Sequence, residues 1–185
     1  DVVFVIDSSS SIWEYDFKTH VLPFVRDVTS MFDVGPNPTQ SRVGVVTFGD
    51  NYYLRFHLNR HMDKNYLMKR IMTIGQTGGN TNTAGALNYV TDRMFVEKNG
   101  MRPDVDHIVI ILTDGESMSY QKTKEAASRA HKKGLQVFAI GVGDAVDDVE
   151  LSDIASDPDS QFKFHATDFE ALQRIKEELA IKTCE

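Results

Sequence analysis

Two kinds of apolar pattern alternate along this chain. Val2-Val3-Phe4-Val5-Ile6 and Ile108-Val109-Ile110-Ile111-Leu112 are unbroken runs rich in β-branched residues, the pattern of strands covered on both faces. Residues 42–48, 52–57, 137–142 and 162–164 read as four further strands. Between these runs the apolar positions recur every three or four residues. Phe17, Val21, Phe24, Val25, Val28 and Met31 form one stripe of a helix predicted over residues 13–32, with Pro23 marking a kink or a disturbed turn inside it. Helices are also predicted over residues 63–74, 83–96, 121–133, 149–155 and 168–180, the last with the stripe Phe169, Leu172, Ile175 and Leu179.

Order and spacing of these elements define the architecture. Only Gly49-Asp50-Asn51 separates the strands at 42–48 and 52–57, too few residues for a parallel crossover, so this pair is an antiparallel hairpin. Elsewhere strands alternate with helices. The fold expected is α/β: a doubly wound, mostly parallel six-stranded sheet with one antiparallel edge strand and helices on both faces, Rossmann-like. Residues 33–41, with Gly35, Pro36 and Pro38, form a turn-rich connection, but no linker or internal repeat divides the chain. Residues 1–185 are expected to be one domain. Because the sequence starts at Asp1 and not at Met, it reads as a module of a larger protein.

Composition changes this picture little. Hydrophobic residues at 41% and charged residues at 25% suit a globular core, and the net charge of -7 argues against nucleic acid and anionic membrane surfaces as partners. No apolar run approaches the ~18 residues of a membrane span, so membrane insertion is not expected.

The chemistry lies where the long apolar runs end. Each ends beside an aspartate, Asp7 after the first and Asp114 after the second, and the crevice beyond the carboxyl ends of strands is where open α/β sheets bind ligands. Ser9 and Ser11 add hydroxyls beside Asp7, and the Gly-rich loop of residues 78–83 brings Thr81. Two carboxylates with neutral hydroxyls are an all-oxygen set for a hard divalent cation: Mg2+ first, Mn2+ equally by geometry, Ca2+ less comfortably because it prefers more ligands. The serines could instead cap the following helix, but a cap does not predict a second aspartate at another strand end. Trp13 and Tyr15 follow the serine loop and face either a ligand or the helix–sheet core. Asn80 and Met118 sit in the other two loops. Glu116 reads as a rim residue or as the partner of Asp114 in paired-carboxylate catalysis. These five form a candidate ligand rim.

Other chemistries lack their marks. The loop at 75–85 has no Gly-Lys-Ser/Thr ending for phosphate, and residues 141–145 lack dinucleotide-binding spacing. The six histidines form no Cys/His cluster, which argues against zinc, and no Gly-x-Ser-x-Gly nucleophile turn occurs.

Asp7-x-Ser9-x-Ser11, Thr81 in its Gly-rich loop and Asp114-Gly115 after a strand resemble the von Willebrand factor type A domain. The resemblance extends through residues 41–50, 134–144 and 151–158. It implies that Asp7, Ser9, Ser11, Thr81 and Asp114 form a metal-ion-dependent adhesion site whose cation accepts an acidic side chain from a partner. The short connection after Gly143 leaves no room for the extra helix of collagen-binding integrin domains, so the chain looks more like the matrilin-type domains of the extracellular matrix. The function so implied is non-enzymatic: a secreted adhesion or matrix-assembly module binding a matrix protein, with collagen the leading candidate. Extracellular members often carry cysteines flanking the domain, which implies that Cys184, the one cysteine, pairs with a cysteine upstream of this segment. Two alternatives remain open: a metal-dependent hydrolase, and an intracellular assembly module of the same family.

Overall fold

The computed structural model describes residues 1–184. Its six strands are β1 (Val2–Asp7), β2 (Val43–Phe48), β3 (Tyr52–Phe56), β4 (Ile108–Thr113), β5 (Gln136–Val142) and β6 (Lys163–Ala166). They form one sheet in the order β3-β2-β1-β4-β5-β6. All pairings are parallel except β2 with β3. Every residue of β1, β2 and β4 is buried, as their unbroken apolar runs require.

From β1 the chain moves outward to β2 and β3, then returns to the other side of β1 with β4 and proceeds to β5 and β6. The strand order therefore reverses between β1 and β4. In-register pairing of Ile6 with Leu112 puts Asp7 beside Thr113, with Asp114 one residue beyond. Right-handed crossovers running in opposite directions from this point place helices on opposite faces.

Helix α1 (residues 14–31) comprises Glu14–Asp16, a π turn at Phe17–Val21 and Leu22–Met31. The π turn is the disturbance expected from Pro23, which has no N–H to give Thr19 and whose ring would crowd that carbonyl; widening the helix by one residue relieves both. The predicted stripe needs one correction at its end. The helix stops at Met31, which is 42% exposed, and Phe32, with extended backbone, turns into the core at 3%.

Helices α2 (Lys64–Met72), α3 (Thr83–Tyr89, continued by a π turn at Val90–Met94), α4 (Tyr120–Lys132), α5 (Asp148–Ile154), the one-turn α6 (Asp159–Phe162) and α7 (Leu172–Lys182) complete the layers. The helix expected from residue 168 starts at Leu172, because Asp168 instead accepts the Ala171 N–H and closes a turn. Its Leu172 and Leu179 are fully buried, whereas Phe169 and Ile175 are partly covered. The last strand begins one residue later than expected, since Phe162 belongs to α6. No helix intervenes between β5 and α5.

At the amino edge of the sheet, Arg102 holds the carboxylate of Asp1. Its Nε and Nη2 donate to Oδ1 at 2.9 and 2.6 Å, its backbone N–H donates to Oδ2 at 2.7 Å, and its Nη1 donates to the carbonyls of Pro38 and Gln40. This clasp joins the start of β1, the turn-rich connection and the approach to β4, far from the carboxyl edge where Asp7 and Asp114 lie.

Candidate metal centre

Three loops meet at the carboxyl edge: residues 7–13, 75–83 and 113–119. In the first, Asp7 is fully buried and Oδ1 accepts the Ser9 N–H at 2.9 Å. Asp7 Oδ2 accepts the Thr113 hydroxyl at 2.8 Å and, more weakly, the Asp114 N–H at 3.4 Å. Ser11 donates its hydroxyl to Asp114 Oδ1 at 2.8 Å, and the Ser9 and Ser11 hydroxyl oxygens are 2.9 Å apart. Since the Ser11 proton is committed to Asp114, Ser9 is the donor to Ser11. Four of the five predicted ligands thus lie in one run of direct contacts across the strand-order reversal.

Thr81 enters differently. Its carbonyl accepts the Met118 N–H at 2.9 Å, so the Gly-rich loop is tied to the Asp114 loop through backbone. The same loop is stitched to the serine loop: Ser10 N–H donates to Gly79 O at 2.9 Å, Gly79 N–H to Ser10 Oγ at 2.8 Å and Gly78 N–H to Ser8 O at 2.8 Å. Gly78 and Gly79 have φ of 73° and 84°, the left-handed region that glycine adopts without strain. A small cavity of about 230 Å³ opens beside Thr81 and Met118, lined also by Thr83, Lys122 and Thr123.

One close approach holds the loops together. A Cβ on Gly49 would come within 2.0 Å of the Gly78 carbonyl oxygen, and Gly49 O also accepts the Asn82 N–H. Gly49→Ala is therefore expected to destabilise the domain by about 1–3 kcal/mol through forced loop displacement. Thermal denaturation checks this; an unchanged midpoint would contradict it.

No serine caps α1. Its N-cap is Trp13, with no side-chain bond to the helix, so the serine hydroxyls are spent on the loop contacts above. Ile12, not Trp13 or Tyr15, fills the core position after the loop, at 2% exposure. Trp13 and Tyr15 are both exposed, with ring centroids 5.2 Å apart. Asn80, Glu116 and Met118 are exposed as well, and an open groove runs beside Trp13 over Ser10, Lys18 and Gln76.

Sequence reasoning missed three supporting residues. Thr113 orients Asp7; its place in the Thr-Asp-Gly motif was visible, its partner was not. Gln76 donates from Nε2 to the carbonyls of Ser9 and Ile12 at 3.0 and 2.7 Å. Glu150, far along the chain, accepts from Ser117. No spacing signals the last two.

The electrostatics favour a cation between the acids. Burial pushes the Asp114 carboxyl up to about 6, and the facing charge of Asp7 adds to the rise. Among the described residues no group of three or more His, Cys, Asp or Glu side chains converges. The candidate donors are two carboxylates and neutral hydroxyls, a set that fits a hard divalent ion.

A raised carboxylate pKa in the folded state also has a sign for the cation-free domain. The folded protein holds a proton that the unfolded chain, near 3.8, has released. This contribution to stability is full below about pH 4 and is lost as pH rises through about 6. In chelator, wild-type stability relative to Asp114→Asn should fall by ~1 kcal/mol from pH 4 to 7, discounted because the group is only half-buried. Paired denaturant titrations measure it, and a rising difference would contradict it.

The chain is similar to known proteins along its whole length. Residues 1–178 match the von Willebrand factor type A domain profile. The whole chain is 36% identical over 185 residues to the collagen alpha-1(XXI) chain of Xenopus laevis, and 33% identical over 184 residues to matrilin-1 of Gallus gallus. It spans 18% and 36% of those proteins. Among solved structures, proximal thread matrix protein 1 from the mussel byssus, with zinc in its MIDAS motif, superposes with a TM-score of 0.92 at 28% identity, covering all of this chain and 48% of that one.

Proposed function

Because the chain belongs to the von Willebrand factor type A family, we propose that it is a non-enzymatic adhesion or matrix-assembly module of a longer protein, secreted into the extracellular matrix. In this reading Asp7, Ser9, Ser11, Thr81 and Asp114 hold a divalent cation. When bound, the cation supplies a positive acceptor for a carboxylate of the partner. The observation that carries the reading is the run from Asp7 through Ser9 and Ser11 to Asp114, built across the strand-order reversal.

The residues divide the work. Asp7 is oriented by Thr113 and the Ser9 amide, so it presents a fixed charge. Asp114, at the solvent side, completes the charge and adjoins the rim. Three of the five groups, the hydroxyls of Ser9, Ser11 and Thr81, are neutral and weaker donors than carboxylates, so the cation stays electrophilic toward one further acid. Trp13, Tyr15, Asn80, Glu116 and Met118 offer the surrounding contacts, and recognition concentrates in such loops because the sheet fixes their origins. Mg2+ is the expected ion and Mn2+ fits as well. The byssal protein carries zinc in its MIDAS motif, so zinc belongs in the cation series.

A matrix protein is the proposed partner, with collagen first. The named relatives, a collagen chain and matrilin-1, support that choice. Cys184 is exposed and the chain's one cysteine, so a bridge would need a cysteine outside the segment. The hydrolase alternative needs a base beside the acids, whereas the partners of Asp7 and Asp114 are hydroxyls and backbone amides.

Surface-immobilised fibrillar collagen and a panel of matrix proteins, probed in Mg2+ and then in chelator, test the proposal. Retention that needs Mg2+ is expected. Retention indifferent to chelator, or sustained Mg2+-dependent turnover of phosphate or ester substrates, would overturn it.

A further inference from the structure

Three residues beyond Asp114, its loop is gripped from outside the site. Ser117 donates its N–H to Glu150 Oε1 at 2.8 Å and its hydroxyl to Oε2 at 2.5 Å, and the Thr123 hydroxyl donates to Ser117 Oγ at 2.8 Å. Glu150 is 5% exposed. It stands in the first turn of α5, where Asp147 accepts the Val149 and Glu150 N–H groups at 2.8 and 2.9 Å.

Helix α5 is a firm base for this grip. Its Leu151 and Ile154 are buried, and a Cβ on Gly141 of β5 would meet Leu151 at 2.9 Å. Leu151 and Ile154 supply the apolar packing and Asp147 supplies the cap, so neither α5 nor its packing requires a buried acid at position 150. Burying a carboxylate is costly without hydrogen-bond donors, and both of those seen here come from one residue of the Asp114 loop. Beyond Ser117 the loop is tied to Thr81 by the Met118 N–H, but between Asp114 and Ser117 it has little else to hold it. Gly115 has open space around it, and the contacts between Gly115 and Thr113 Oγ1 are long, at 3.2 and 3.4 Å.

We propose that Glu150 is a positioning residue for the metal centre. By holding both donors of Ser117 it fixes the Asp114–Ser117 segment, keeps the Asp114 carboxylate turned toward Ser11 and Asp7, and thereby sets the affinity for the cation. The inference rests on the metal reading above. Residues that hold ligands in place commonly change metal affinity about 10–100-fold when removed.

Mn2+ titration calorimetry on the full chain tests this, with thermal midpoints recorded for each protein. Glu150→Ala should weaken Mn2+ binding about tenfold. Glu150→Gln should stay close to wild type, because its amide oxygen still accepts the Ser117 N–H and its NH2 donates to Ser117 Oγ. Ile175→Ala, a destabilising change in α7 away from these loops, should lower the midpoint and leave Mn2+ affinity unchanged. A Glu150→Ala protein that is less stable yet binds Mn2+ normally overturns the proposal, as does equal loss in Glu150→Gln. Should Glu150→Ala fail to fold, Ser117→Ala, which removes one donor, must weaken Mn2+ binding; unchanged affinity overturns it. A wild-type domain that takes up no Mn2+ is a different failure, that of the metal reading itself.

Discussion

Asp114→Ala is expected to abolish divalent-cation uptake, by about a hundredfold or more, and cation-dependent retention on matrix proteins with it. The size follows from its place. Removing a residue that merely orients a metal ligand costs about 10–100-fold, and Asp114 is one of only two acids in the set. Stability should hardly change. The core is carried by β1, β2 and β4 and the helix stripes, and Asp114 contributes no apolar packing. Its side chain accepts the Ser11 hydroxyl, and its carboxyl is pushed up by burial and by Asp7, so its removal relieves repulsion in the cation-free state. The thermal midpoint in chelator should stay within about 2 °C or rise. Circular dichroism with calorimetric Mg2+ titration measures both, and loss of the folded signal would show that the acid serves the fold.

The opposite response is expected at the other edge of the sheet. Arg102→Ala should cost about 3–5 kcal/mol, because it strands a buried carboxylate. The side chain of Asp1 is 0% exposed and that of Arg102 16%, and the same guanidinium also holds the carbonyls of Pro38 and Gln40. For a domain of this size the loss corresponds to a fall in thermal midpoint of ~10 °C. Cation affinity measured well below that midpoint should be unchanged. A stability change under ~1 kcal/mol would mean that the clasp is replaceable by solvent.

These two variants separate fold from site, and they also mark what the chain makes legible. Strands β1 and β4 announce themselves because a strand covered on both faces leaves no polar position to obscure the pattern. The hairpin follows from a three-residue turn that no crossover can span. Asp7 and Asp114 are visible because each stands at the carboxyl end of such a strand, Asp7 as its last residue and Asp114 just past it. Helix details were less legible. Pro23 signalled trouble in α1, but a π turn and a kink have the same sequence mark, and Phe32 takes the core place expected of Met31 because the helix ends one residue earlier than its periodicity suggests. Residues acting across the fold were hidden: Thr113 on Asp7, Gln76 on the serine loop and Glu150 on Ser117 meet through topology, and no spacing along the chain encodes such a meeting.

Crystals grown or soaked with Mn2+ and measured at its absorption edge give the most direct test of the metal centre. One anomalous peak is predicted between Asp7 and Asp114, in contact with the Ser9 and Ser11 hydroxyls and reached by Thr81 directly or through one water. A peak elsewhere on the acidic surface, or none at saturating Mn2+, would contradict it.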